Sequence, residues 1–187
     1  YSTVSQLSYI VLGGALATSA GVLGGGMHIA MHAMGKITLF FCAGAILVGA
    51  HKTEISDMDG LGRRMPFTFG AFLLGSLSVI GLPPMGGSWS KWYLVLGSIE
   101  AEQMAMMLVL MASSLLSIGY LMPVVARGFF KEAPQADNHA LEYEHEHEHG
   151  EAPLLCVLPP VLTGIGCIVL FFYAEKVYQL LTGIVTP

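Results

Sequence analysis

From Met27 to Ala50 the chain reads MHIAMHAMGKITLFFCAGAILVGA, 24 residues with one lysine and no acid. As a helix this run is about 36 Å long at ~1.5 Å per residue, enough to cross a hydrocarbon core about 30 Å thick. It is not alone. Apolar segments also run from about Val4 to Leu23, Pro66 to Ile99, Met104 to Ala126 and Leu154 to Leu181. Only 11% of the 187 residues are charged, against about 25% in soluble domains. The fold class expected is therefore all-α: a polytopic transmembrane helix bundle of about five crossings, within a single membrane domain covering residues 1–187.

The chain begins at Tyr1, with no basic region leading into a cleavable apolar stretch. An internal or C-terminal piece of something longer is expected, without a signal peptide. The glycines of GVLGGG suit a tight turn between the first two helices. A basic connector, HKTEISDMDGLGRRM, and a hydrophilic loop over residues 127–153 separate other segments. Cys42, Cys156 and Cys167 lie in apolar segments and fit no disulfide or zinc framework, so they read as small buried hydrophobes.

The stretch from Pro66 to Ile99 is too long for one straight crossing: its 34 residues would measure about 51 Å. Pro83, Pro84, Gly86 and Gly87 forbid regular helix near residues 83–89. Loop charge decides between two crossings and one broken crossing. Lys52, Arg63 and Arg64 precede the stretch, and Arg127 and Lys131 follow the next helix. Basic loops favour one side, which requires an even number of crossings between them. A single discontinuous helix followed by one more helix satisfies this.

Within these apolar runs a few polar groups stand out. His28, His32 and Lys36 are four residues apart. Each step rotates about 40°, so the three share a stripe about 80° wide that climbs about 12 Å. His28, beside the glycine turn, also fits a helix end reaching the interface. Lys36 lies near mid-membrane, where a lysine costs about 2.5 kcal/mol or more and normally marks an ion or proton path. HxxxH without a following glutamate, and with no third ligand nearby, does not make a zinc site. Lys91 follows the Pro-Pro break and sits among Trp89, Trp92 and Tyr93. A charge at a broken helix is a common ion-site arrangement in transporters, and an aromatic interfacial belt is the plainer account. Ser2, Thr3, Ser5, Gln6, Ser8 and Tyr9 could bond water in a channel or pack helices. His145, His147 and His149 alternate with Glu in a tract that fits a solvated loop, and could also buffer protons or hold a metal weakly. No phosphate loop, dinucleotide fingerprint, haem, iron–sulfur, nucleophile–base or nucleic-acid-binding pattern is present. No cofactor and no resident metal is expected, and no redox or hydrolytic site.

YSTVSQLSYI, HIAMHAMGKITLFFCAGA, DGLGRRMPF and GLPPMGGSWSKW resemble, in order, the second half of the antiporter-like membrane subunits. That family includes the proton-pumping membrane subunits of respiratory complex I and the large subunits of Mrp-type sodium/proton antiporters. The last motif and AHKTEISDMDGLGRRMPF look more like the D-type large subunit of the Mrp antiporters. The resemblance covers Tyr1 to Tyr93 strongly and the last two helices weakly. It implies two inverted five-helix repeats, of which this chain would hold the later part of the second and one further helix. It also implies a proton pathway through His28, His32, Lys36 and Lys91. The expected function is proton translocation within a multisubunit Na+/H+ antiporter, the alternative being a membrane subunit of NADH:quinone oxidoreductase or a related hydrogenase. The partners expected are other membrane subunits, protons, Na+ and the lipid bilayer. The expected location is the bacterial inner membrane.

Overall fold

The computed structural model describes residues 2–132 and 150–185; His145, His147 and His149 fall outside them. The elements are α1 (Ser2–Ala15), α2 (Ser19–Ala50), a 3-10 turn (Ile55–Met58), α3 (Leu61–Arg64), α4 (Pro66–Ile80), α5 (Gly87–Glu100), α6 (Met104–Phe130), α7 (Leu154–Phe172) and α8 (Ala174–Val185), with no strand among the described residues. Among the described residues, three helices are long and apolar enough to cross a membrane: α2, α6 and α7.

α2 is the spine. Its 32 residues make a rod about 48 Å long. Along it run, in the opposite sense, both halves of the expected broken helix. His28 meets Ser90 of α5, while Cys42 Sγ bonds the Thr68 carbonyl of α4. Glycines bring the backbones together: a Cβ on Gly24 would lie 2.7 Å from the Leu94 nitrogen, and one on Gly75 only 3.1 Å from the Thr38 methyl. α4 and α5, with 15 and 14 residues, are each about 22 Å long and too short to span alone. Placed end to end along one rod, they form a single discontinuous crossing. α4 ends on Gly81 at φ 88°, and the Pro83–Pro84 bond in the break is cis. The break is tied to α7, where the Gly86 amide donates to the Cys167 carbonyl at 3.1 Å.

The two basic loops meet on one face, as charge parity requires. Asp59 pairs with Arg127 at 3.5 Å and Lys131 at 3.3 Å, and Arg63 Nε donates to the Phe129 carbonyl. A core of Ala45, Ile46, Met58, Met65, Phe69, Val124, Ala152 and Val157 fills this end. Glu151 closes it, accepting from the amides of Phe67 and Thr68 and from the Thr68 hydroxyl at 2.5, 3.2 and 2.8 Å. Those amides belong to the first turn of α4, where they have no intrahelical acceptor.

Two boundaries differ from the sequence expectation. The turn between the first two helices is at Ala17 and Thr18, and the glycines of GVLGGG lie inside α2. Thr18 caps α2 through the Gly21 amide at 3.1 Å. In lipid a glycine run serves close backbone approach, and here Gly21, Gly24 and Gly25 pack on Gly97, Leu94 and Gly13. The other difference is in the last segment, which is not one helix: it bends at Tyr173 between α7 and α8. α8 turns Val177, Tyr178 and Leu181 onto Met27 and Met31, and this anchoring outweighs helical continuity. Cys42 and Cys167 are buried free thiols and Cys156 is half-buried.

Candidate proton-path site

The displaced turn changes the setting of His28. It now lies in the third turn of α2, 2% exposed, and does not reach an interface. Its Nδ1 is hydrogen-bonded to Ser90 Oγ at 2.9 Å and its Nε2 faces Gln6 Oε1 at 3.1 Å. Ser90 Oγ is also 3.1 Å from the Gly87 carbonyl, so its proton goes either to that carbonyl, with His28 Nδ1 donating to Ser90, or to Nδ1 itself. Nε2 likewise has two options: it bears a proton and donates to Gln6 Oε1, or it is bare and the Gln6 amide is turned to offer N–H. Gln6 Nε2 has no partner in the first arrangement. The arrangements differ in which ring nitrogens carry a proton and in one amide rotation.

Lys91 sits at the helix break. Its ammonium donates to the Val79 and Ile80 carbonyls at 3.0 and 2.8 Å and to Ser114 Oγ at 3.1 Å. It also lies 4.9 Å from the centroid of the Tyr9 ring. Val79 and Ile80 close the last turn of α4, where carbonyls lack intrahelical donors and the helix dipole favours a cation. Tyr9 is 3% exposed and its ring is 5.3 Å from that of His28. His28 stacks on His32 at 5.8 Å with 5° between planes. Lys91, Tyr9, His28 and His32 therefore form one row. The buried His32 Nδ1 and Tyr9 hydroxyl have no hydrogen-bond partner among the described residues; buried polar atoms are normally satisfied by protein or water.

Lys36, the next member of the α2 stripe, lies 17 residues from Ser19 and 14 from Ala50, at the middle of α2. It is half-buried, with its ammonium 5.2 Å from the Phe40 ring. Among the described residues, no carboxylate pairs with Lys36 or Lys91. The structure thus gathers His28, His32 and Lys91 around Tyr9, and sets Lys36 at the edge of that group.

Gln6 and Tyr9 come from the polar face of the first segment. Ser90 and Ser114 were not singled out by the sequence. Ser114 belongs to a hydroxyl stripe on α6: Tyr120 donates to Ser117 Oγ at 3.3 Å and is 3.3 Å from Ser2 Oγ. Ser113, Ser114, Ser117 and Tyr120 fall at helical spacing, a signal legible within an apolar run. Beside Lys91 is a cavity of about 400 Å³ bordered by Tyr9, Ser88, Trp92 and Ser114. A second, of about 230 Å³, lies between Ser5, Ser8, Tyr9 and Ser113.

A broken crossing along an unbroken rod, with a lysine at the break and histidines on the rod, defines an integral, multi-pass membrane protein of the discontinuous-helix class. The family described as NADH:quinone oxidoreductase/Mrp antiporter, transmembrane, matches residues 1–117, and the chain belongs to it. It is 38% identical over 183 residues to NADH-quinone oxidoreductase subunit N of Desulforudis audaxviator, covering 95% of this chain and 36% of that protein. Against the D-type Na(+)/H(+) antiporter subunit of Alkalihalophilus pseudofirmus it is 28% identical over 180 residues, 96% of this chain and 34% of the relative. The chain therefore spans about a third of the length of these two curated relatives. In fold it matches a chain of the Mrp complex from Dietzia sp. DQ12-45-1b, with TM-score 0.82 and 23% identity over 96% of this chain and 40% of that one. Respiratory complex I from Thermus thermophilus gives TM-score 0.62 and 17% identity over 93% of this chain and 43% of its own.

Proposed function

We propose that this chain is part of a proton-translocating membrane subunit of a multisubunit Na+/H+ antiporter in a bacterial cell membrane. The observation that carries this reading is Lys91: an ammonium at a helix break, held by two end-of-helix carbonyls and a serine, with no carboxylate partner among the described residues. A static ion pair would give such a charge an acid. Here the ion pairs among the described residues join Asp59 to Arg127 and Lys131, on the basic-loop face.

The row supplies a route. When Lys91 gives up its proton, the neutral amine no longer serves three acceptors as strongly, and the hold across the break loosens. A hydrogen bond to a charged group contributes about 1.5–3 kcal/mol, enough to bias two arrangements of α4 and α5. His28 takes up or releases a proton with a rotation of Gln6, and His32 extends the row toward Lys36. Other membrane subunits would complete the route, since about two thirds of each full-length relative lies outside this chain.

A second reading, a membrane subunit of an NADH:quinone oxidoreductase, is favoured by the 38% identity to a subunit N. The test uses the full-length protein in its native assembly in membrane vesicles. Lys91→Ala is expected to reduce ion-coupled proton movement while the assembly stays intact. Unchanged transport removes Lys91 from the route. Proton efflux driven by Na+ without NADH selects the antiporter; dependence on NADH oxidation selects the other assembly.

A further inference from the structure

The α7–α8 bend builds a second site, on the side of α5 away from the Lys91 cavity. Phe171 and Phe172 end α7, Glu175 and Tyr178 begin α8, and Trp89 and Tyr93 come from α5; together they border a cavity of about 120 Å³ floored by Met27. The rings form two pairs. Trp89 and Phe171 are 5.8 Å apart with 37° between planes, and Tyr93 and Tyr178 are 5.4 Å apart at 28°. Glu175 adds a carboxylate, steadied by Gln179 Nε2 donating to Oε1 at 3.1 Å. Among the described residues, no Lys, Arg or His lines the cavity.

Ring faces and a carboxylate attract the same thing. The face of an aromatic ring is negative and draws a cation, most strongly for Trp, and boxes of such rings recognise alkylated ammonium groups. The cavity of about 120 Å³ has room for a small ammonium head. A plain interfacial belt would place Trp and Tyr rims outward. Here Met27 on the floor is 1% exposed and Ala174 5% exposed, while Trp89 is 38% and Phe172 72% exposed, so the rings rim a recess that is open on one side and floored by buried apolar groups. A bare metal ion is disfavoured by the wall, which offers one carboxylate and little other oxygen.

The geometry points to an organic-ammonium site at the α5–α7–α8 junction, in which the Trp89, Tyr93, Phe171 and Tyr178 rings hold the cation and Glu175 balances its charge. The ammonium could arrive on a phospholipid headgroup or on a soluble amine. Because Trp89 and Lys91 are both in the first turn and a half of α5, an occupied recess would steady the half-helix that carries Lys91.

The test takes the full-length protein in detergent and in nanodiscs. Equilibrium dialysis with labelled tetramethylammonium, against equal NaCl, should show saturable binding. Native mass spectrometry should show whether phosphatidylcholine or phosphatidylethanolamine is retained over phosphatidylglycerol with the same acyl chains. Trp89→Ala and Glu175→Gln should each weaken binding about fivefold or more, and Trp89→Phe less. Tyr178→Leu is a second ring deletion should Trp89→Ala fold poorly. A lipid preference displaced by tetramethylammonium identifies a headgroup as the source, and tetramethylammonium binding without lipid preference identifies a soluble amine. Absence of both, or binding unchanged in Glu175→Gln and the ring variants, overturns the proposal. Loss of transport in Lys91→Ala would leave this result untouched, so the two readings fail separately.

Discussion

At the scale of single residues, the polar groups work through specific partners. Ser90 is 0% exposed and holds both His28 Nδ1 and the Gly87 carbonyl. Ser90→Ala therefore strands His28 Nδ1, while the Gly87 carbonyl keeps its helical amide donor; an unsatisfied buried group costs about 1–3 kcal/mol. Thermal unfolding of the full-length variant in detergent should show a clear fall in Tm, with proton movement reduced. Ser114→Ala removes one of three acceptors from Lys91 and leaves both carbonyls. It should slow proton movement in vesicles less than Lys91→Ala does, with little change in Tm. His28, His32, Lys36 and Lys91 were legible in the sequence because a charge or imidazole in an apolar run is expensive and rare. Ser90 and Ser114 were not, because a serine in a membrane helix is more often a small packing residue. The role of Lys36 depends on what covers the middle of α2, which the local sequence does not specify.

Among the elements, the broken crossing was readable from arithmetic: too many residues for one span, glycines and prolines in the middle, and basic loops of matching sign. The glycine run was misread because the same residues make turns in one setting and close contacts in another. What separates them is the partner helix, and here that partner is α5, about seventy residues away in sequence. Gly24→Leu should overpack this contact, since the obstruction is the Leu94 backbone and not a mobile side chain. Such changes cost about 1–3 kcal/mol, and lower yield of folded protein by size-exclusion chromatography is the expected result. The bend at Tyr173 carries no Gly or Pro to mark it; the packing of α8 on Met27 sets it. Glu151 acts as a cap supplied from another segment. Glu151→Ala should lower stability by about 1–2 kcal/mol, read as a shift in Tm.

For the whole molecule, the crossings fix which loops share a side. Cysteines placed at Lys52 and Lys131 of the full-length protein, in a background without other accessible thiols, should react with an impermeant maleimide from one side of the membrane. A cysteine at Glu102 should react only from the other. Reaction of the cysteines at positions 52 and 102 from one side, and of that at 131 from the other, would replace the single broken crossing with two. That parity was available from sequence, since it needs only charge counts; the contact between the basic loops was not, since Asp59 could have faced water. The backbone bond from Gly86 to Cys167 also gives the architecture a mechanical character. α2 is a fulcrum, and α5 a lever whose near end is hitched to α7. Any tilt of α5 that moves Lys91 must either stretch that hitch or drag the last long helix along with it.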